Sequence, residues 1–148
     1  MKKECYDAKQ WLKRTHKLAL RVEADKRFLE ILADRINQAV AKYETDGTAT
    51  DRDSARKRRE DEMLEYTEQR DHVEQEQLEL IAEMTKTRNI VKSLNDPTLE
   101  AVAVNRYVNR LHWDDIIKLT HYSRSQVFRF HLKMLEELAK VLQEEKII

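Results

Sequence analysis

The sequence predicts an all-α protein: a long helical hairpin or coiled coil followed by a C-terminal three-helix domain. Three observations predict this. The 148 residues include one glycine and one proline, which leaves almost nothing from which to build β-turns. Charged residues make up 38% and hydrophobic residues 41%, the balance of long exposed helices rather than of one large core. Apolar residues also recur at alternating steps of four and three over stretches of about forty residues, the period of a helix that buries one seam.

The first helix is expected from about Lys3 to Tyr43. Its seam runs through Trp11, Thr15, Leu18, Val22, Asp25, Leu29, Leu32, Ile36, Ala39 and Tyr43, nearly all apolar. At 1.5 Å per residue such a helix is about 60 Å long, more than a small domain can cover. A break follows over Glu44 to Asp53, around Gly47 and a cluster of Thr and Asp, the composition of a helical hairpin turn. Asp53 or Ser54 is a candidate cap for a second helix from about Ala55 to Leu94. Its seam is poorer: Met63, Tyr66, Val73, Leu80, Met84, Val91 and Leu94 are interrupted by Arg70 and Gln77. These two helices read as an antiparallel hairpin over residues 1–96 that serves oligomerisation; the alternative is an intermolecular coiled coil, and a four-helix dimer would combine both. The basic run Arg52, Arg56, Lys57, Arg58 and Arg59 is followed by acids from Glu60 on and reads as a solvated hairpin tip.

Asn95-Asp96-Pro97 ends the hairpin. Asp96 is a good N-cap and proline suits the first helical position, so a second domain is placed at residues 97–148. A third helix, Thr98 to Leu111, should bury Leu99, Val102, Ala103, Tyr107 and Val108. A fourth, Trp113 to Leu119, carries Asp114 and Asp115 in its first turn, where negative charge suits the helix dipole. A three-residue turn follows, and at His121 a positive φ is expected, because glycine is common at this position of such turns and histidine tolerates it better than a β-branched residue. Ser123 then caps a fifth helix that runs to about Glu145. That helix carries two apolar stripes. Val127, Phe130, Met134, Leu138 and Val141 should face the third and fourth helices. Phe128, Leu132, Leu135, Ala139 and Leu142 need a cover from the hairpin or a second copy, unless they merely widen the core face.

A short helix, a tight turn and a capped helix make a helix-turn-helix, in which the second helix offers its first turn to the major groove of DNA. The candidate DNA-binding residues are Ser123, Arg124, Ser125, Gln126, Arg129 and Lys133. Arginine and glutamine can form paired hydrogen bonds with guanine and adenine, while serine and lysine suit phosphates. The rival reading of this face is a solvated basic surface. From His121 to Met134 there are three basic residues and no acid. The net charge is zero, distributed as +3 over 1–46, −4 over 47–96 and +1 over 97–148. So little positive charge gives weak affinity alone, and a dimer or a second protein would have to help.

Other function classes find no support. There is no glycine-rich phosphate loop, no paired Cys and His, and no carboxylate pair in an apolar setting, so no catalytic residues and no enzyme activity are expected. No pair of histidines shows the His-x3-His spacing of a zinc site, and His112, His121 and His131 read as structural or solvent-facing; no metal or cofactor is assigned. No apolar run approaches the ~20 residues needed to span a bilayer, so no membrane role is expected. The lone Cys5 has no partner for a bridge and no secretory segment precedes it, which points to the cytoplasm.

The stretch from Asn105-Arg106-Tyr107 to Leu138 resembles region 4 of bacterial sigma factors. Arg106, Tyr107, Trp113, Ile116, Tyr122 and Ser123, followed by Val127, Phe128, Arg129 and His131, together with the order of the whole chain, resemble the ArpU-like family of phage-encoded transcriptional regulators. The specific likeness covers about 35 residues. The chain departs from the pattern at His112, at His121, and at Phe128, which fills an often basic position in sigma factors. The resemblance implies regulation of phage or prophage late genes through promoter DNA in the host cytoplasm, with RNA polymerase as a further partner. The expected function is thus a sequence-specific, homodimeric regulator that binds double-stranded DNA. The alternatives are a small terminase subunit that binds packaging-site DNA, or a helical scaffold that binds none.

Overall fold

The computed structural model describes residues 1–45 and 49–148, and among these the regular secondary structure is all helical, without strands. Five α-helices follow one another: α1 Lys3–Thr45, α2 Ala49–Lys92, α3 Pro97–Ala103, α4 Trp113–Thr120 and α5 Arg124–Glu144. Gly47, at the centre of the expected hairpin turn, lies outside the described residues. The outer residues of the expected turn are helical, since α1 includes Glu44 and Thr45 and α2 begins at Ala49. Asp53 and Ser54 lie inside α2 instead of capping it, because the Ala, Arg, Lys and Glu that follow are strong helix formers and carry the helix back over the polar cluster.

By their internal contacts the residues form two compact units, Met1–Ala19 with Leu80–Ile148, and Leu20–Glu79. Asp96 and Pro97 lie within the first unit. In the second unit α1 and α2 run antiparallel, with residue 25 opposite residue 72. Val22, Leu32, Ile36 and Val73 are buried there. Glu76, and not Gln77, is the polar residue that enters this seam. Burial raises its pKa above the ordinary carboxylate range, and the adjacent Asp25 carboxyl raises it further, against the charges of His72 and Arg21.

In the first unit α1 and α2 meet at Arg14, whose Nε donates to Glu83 at 2.9 Å and whose guanidinium lies 3.9 Å from the centre of the Trp11 ring. Cys5, Ala8 and Leu12 of α1 and Val91 of α2 share one core with Leu99, Ala103 and Tyr107, and with Met134, Leu135, Leu138, Ala139 and Leu142 of α5. The ends of the hairpin therefore cover the lower half of the second α5 stripe. The upper half is not covered: Phe128 and Leu132 remain 40% and 46% exposed.

Asp96 caps α3 as the sequence suggests, its carboxylate accepting the N–H groups of Thr98 and Leu99, with Pro97 in the first turn. The third helix does not run on as an α-helix to Leu111. After Ala103 it widens into a π-helical turn, Val104–Val108, in which the Asn109 N–H reaches the Val104 carbonyl at 2.8 Å. Tyr107 and Val108 are both buried in this turn. Arg110 then adopts a left-handed φ of 58°, and Arg106 Nη1 donates to the Leu111 carbonyl at 3.0 Å, which ends the helix. Buried Thr15 of α1 supports the π turn, its hydroxyl within donating distance of the Tyr107 carbonyl, 3.2 Å, and of the Leu12 carbonyl, 3.3 Å.

Candidate nucleic-acid interface

Three residues, His121 to Ser123, join α4 to α5. His121 is the left-handed C-cap of α4, with φ 61° and ψ 15°, and its N–H closes on the Ile117 carbonyl; the positive φ expected from the sequence is present. Ser123 takes an extended conformation and caps α5 in a reciprocal box. Its Oγ accepts the Gln126 N–H at 3.2 Å, and Gln126 Oε1 accepts the Ser123 N–H at 3.0 Å. Two donors that a helix N-terminus leaves open are thereby satisfied.

Ring contacts brace the turn. Trp113, the first residue of α4, lies 5.0 Å from Phe128 and edge-on to His131 at 4.8 Å. Arg106 covers the Trp113 ring at 4.8 Å. Tyr122 meets Phe130 at 5.0 Å, and Ile116 is fully buried. Tyr107 stacks on His131, and its hydroxyl stands 2.6 Å from His131 Nε2. Burial pushes the phenol up to about 12, with Arg106 opposing. Burial pulls the imidazole down to about 4, helped by the charges of Lys9 and Arg106. The ring is therefore neutral at pH 7, and with Nε2 as acceptor the phenol donates. The residues that carry the resemblance, Arg106, Tyr107, Trp113, Ile116, Tyr122 and Ser123, thus build and brace the turn.

The six candidate residues Ser123, Arg124, Ser125, Gln126, Arg129 and Lys133 are all exposed. Two are partly engaged. Gln126 Oε1 belongs to the capping box, which does not use its amide nitrogen. Arg124 is ion-paired to exposed Asp114 of α4, a pair worth little in water and easily exchanged for a phosphate. Ser125, Arg129 and Lys133, four residues apart, form one row of α5. Phe128 and Leu132 share that face. It offers hydrogen bonds and positive charge beside apolar contact of the kind a thymine methyl group takes.

A second basic surface lies in the same unit, and the sequence reading missed it. Lys9, Lys13, His16 and Lys17 of α1 line a cleft of about 430 Å³ together with Arg106, Tyr107, Arg110, His112 and Trp113 of the C-terminal segment. Its signal in the sequence was the row Lys9, Lys13 and Lys17, one helical turn apart, which is hard to separate from the solvated face of any charged helix. Trp113 belongs to both places: one wall of the cleft, and the ring against which Phe128 of α5 packs.

The family described as "Protein of unknown function (DUF1492)" matches residues 45–139, more than half of the chain, and the chain belongs to that family. No curated protein and no solved structure matches it. No helix among the described residues is long and apolar enough to cross a membrane.

Proposed function

We propose that this DUF1492 member is a DNA-binding regulator of transcription rather than an enzyme. The first turn and exposed face of α5 read base edges in the major groove, while the cleft lined by Lys9, Lys13, Lys17, Arg106 and Arg110 takes backbone phosphates. In its finer form the proposal is a sigma region 4-like helix-turn-helix of the ArpU-like kind. It acts as a homodimer on phage or prophage late genes in the bacterial cytoplasm, with RNA polymerase as a second partner.

The observation that carries this reading is the pairing of two surfaces through one residue. Six exposed polar side chains stand on and beside a capped helix start, and a cleft walled by lysine and arginine includes Trp113, whose ring meets Phe128 of the same helix. Specific duplex binding needs both kinds of contact, since phosphate contacts position a protein and base contacts specify the site. Apolar side chains left exposed in the second unit, Leu20, Phe28 and Ile31 on α1 and Leu64 and Leu78 on α2, support association between copies.

The test is selection of bound sequences from a random duplex pool by the full chain, followed by titration at several salt concentrations. The expected result is a recurrent motif with two half-sites about 34 Å apart and an affinity that falls steeply with salt. No enrichment and no salt-sensitive binding would remove the proposal. A mass of eight or more copies would favour the terminase reading. Exposed Phe128 and Leu132, in the middle of the reading face, favour one alternative, a scaffold that presents this face to a protein. Retention of salt-dependent duplex binding argues against it.

A further inference from the structure

We propose that Asp25, His72 and Glu76 form a divalent-metal site between the long helices, and that Zn²⁺ is the cation their donors fit best. The inference does not rest on DNA binding. His72 and Glu76 are four residues apart on α2, so they stand one above the other on one face. Asp25 approaches from α1. One ligand atom from each residue lies within 4.8 Å of the others. The imidazole is the hub: His72 Nε2 is 3.8 Å from Asp25 Oδ2 and in contact with Glu76 Oε1. Tetrahedral zinc with nitrogen and oxygen ligands at about 2.1 Å sets its donors about 3.4 Å apart, which small side-chain rotations supply here.

A second, independent observation comes from Glu76. It is only 6% exposed, and its Oε2 is buried without a hydrogen-bond partner among the described residues. A buried carboxylate oxygen left unpaired is costly, and the group meets that cost either by holding a proton, the direction in which burial and Asp25 push it, or by taking a cation. A proton on His72 does not meet the need. It adds one positive charge against two carboxylates, and it reaches Oε1, leaving Oε2 as it was. A divalent cation balances both carboxylates and can draw the Glu76 group as a whole. His72 is 58% exposed, so solvent reaches the cluster, and three protein ligands leave a fourth position for water. One nitrogen and two carboxylates are a donor set that suits zinc and its first-row neighbours better than the all-oxygen shells of calcium or magnesium. Bound there, the ion pins α1 to α2 in register.

The experiment uses the full chain, freed of metal with a chelator, then titrated with Zn²⁺ by calorimetry and melted with and without it. The expected result is one ion per chain and a Tm raised by about 5 °C at saturation. His72→Gln, on an exposed side chain, should leave the helical circular dichroism unchanged. It should weaken binding roughly tenfold or more, at least the effect of losing an outer partner of a metal ligand, and Asp25→Asn should do the same. Co²⁺ should give a visible absorption band in the parent chain that is lost in His72→Gln. Absence of Zn²⁺ binding, or binding that both variants retain unchanged, would overturn the proposal.

Discussion

At the scale of single residues, the contact between Tyr107 and His131 has a consequence for stability. The folded chain holds His131 neutral, its pKa reduced from 6.5 to about 4. Between those values the unfolded chain binds a proton that the folded chain does not, so stability rises with pH in that window. It should fall progressively as pH drops from about 6.5 towards 4, by on the order of 3 kcal/mol for this group alone. Urea unfolding of the parent chain and of His131→Leu across that range checks this. The variant should be less stable at pH 7, where the Tyr107 hydroxyl loses its acceptor, and should show a shallower slope. Parallel slopes would mean that His131 is not the group responsible.

If the proposed function holds, two residues on the exposed row of α5 should separate base reading from phosphate contact. Arg129→Ala should cost roughly 1–3 kcal/mol on the selected site and relax preference at one base pair, whereas Lys133→Ala should weaken all duplexes alike. Equal losses on specific and random DNA for both variants would show that base reading has been assigned to the wrong side chain. The exposed candidates were legible because a capped helix start announces itself in a run such as Ser123-Arg124-Ser125-Gln126. The part that Gln126 plays in that cap was equally legible in the spacing of a capping box, yet it competes with base contact, and only the structure shows the oxygen already accepting. The cleft was not legible, because Lys9, Lys13 and Lys17 meet Arg106 and Arg110 only after residues about a hundred positions apart are brought together.

At the scale of elements, local chemistry set most helix ends. Asp96 and Pro97 start α3, Ser123 starts α5, and His121 ends α4 in the left-handed region. Because φ there is 61°, replacing His121 by glycine relieves the Cβ of an unfavourable position, although glycine has more freedom to lose from the unfolded chain. His121→Gly should therefore leave stability unchanged or raise it by up to about 1 kcal/mol. Ser123→Ala should lower it by about 1 kcal/mol through loss of the cap. Thermal melts of the two variants test both signs, and a destabilised His121→Gly would mean that the imidazole itself braces the turn. What the sequence concealed at this scale has one cause, the tertiary override of local preference. The run Val104–Val108 has the composition of an ordinary helix, but it widens into a π turn where buried Thr15 stands within donating distance of the Tyr107 carbonyl. The polar cluster before Ala55 looked like a long turn, but its later residues are absorbed into α2.

At the scale of the whole molecule, the C-terminal segment depends on the ends of the long helices for part of its core. The two α5 stripes raised the question of what covers the second, and the structure answers for half of it. Leu135, Ala139 and Leu142 share a core with Cys5, Ala8, Leu12 and Val91, all of them outside residues 97–148. Each large side chain stripped of that cover loses about 1.5–3 kcal/mol, while a domain holds only about 0.1 kcal/mol of net stability per residue. Residues 97–148 alone should therefore be unstable, and should bind duplex DNA at least about tenfold more weakly than the full chain, also because Lys9, Lys13 and Lys17 are gone. The upper half of the stripe and apolar residues on the long helices are exposed, and the proposed two-fold dimer would cover them and set two α5 helices against half-sites about one turn of DNA apart. Sedimentation of the full chain at micromolar concentration should give a dimer held mainly by the long helices, and Leu20→Glu with Ile31→Glu should shift it to monomer and weaken binding to a two-half-site duplex far more than to a single half-site. A full chain that sediments as a monomer, or a fragment that binds as well as the parent, would assign the long helices to some purpose other than DNA binding by pairs.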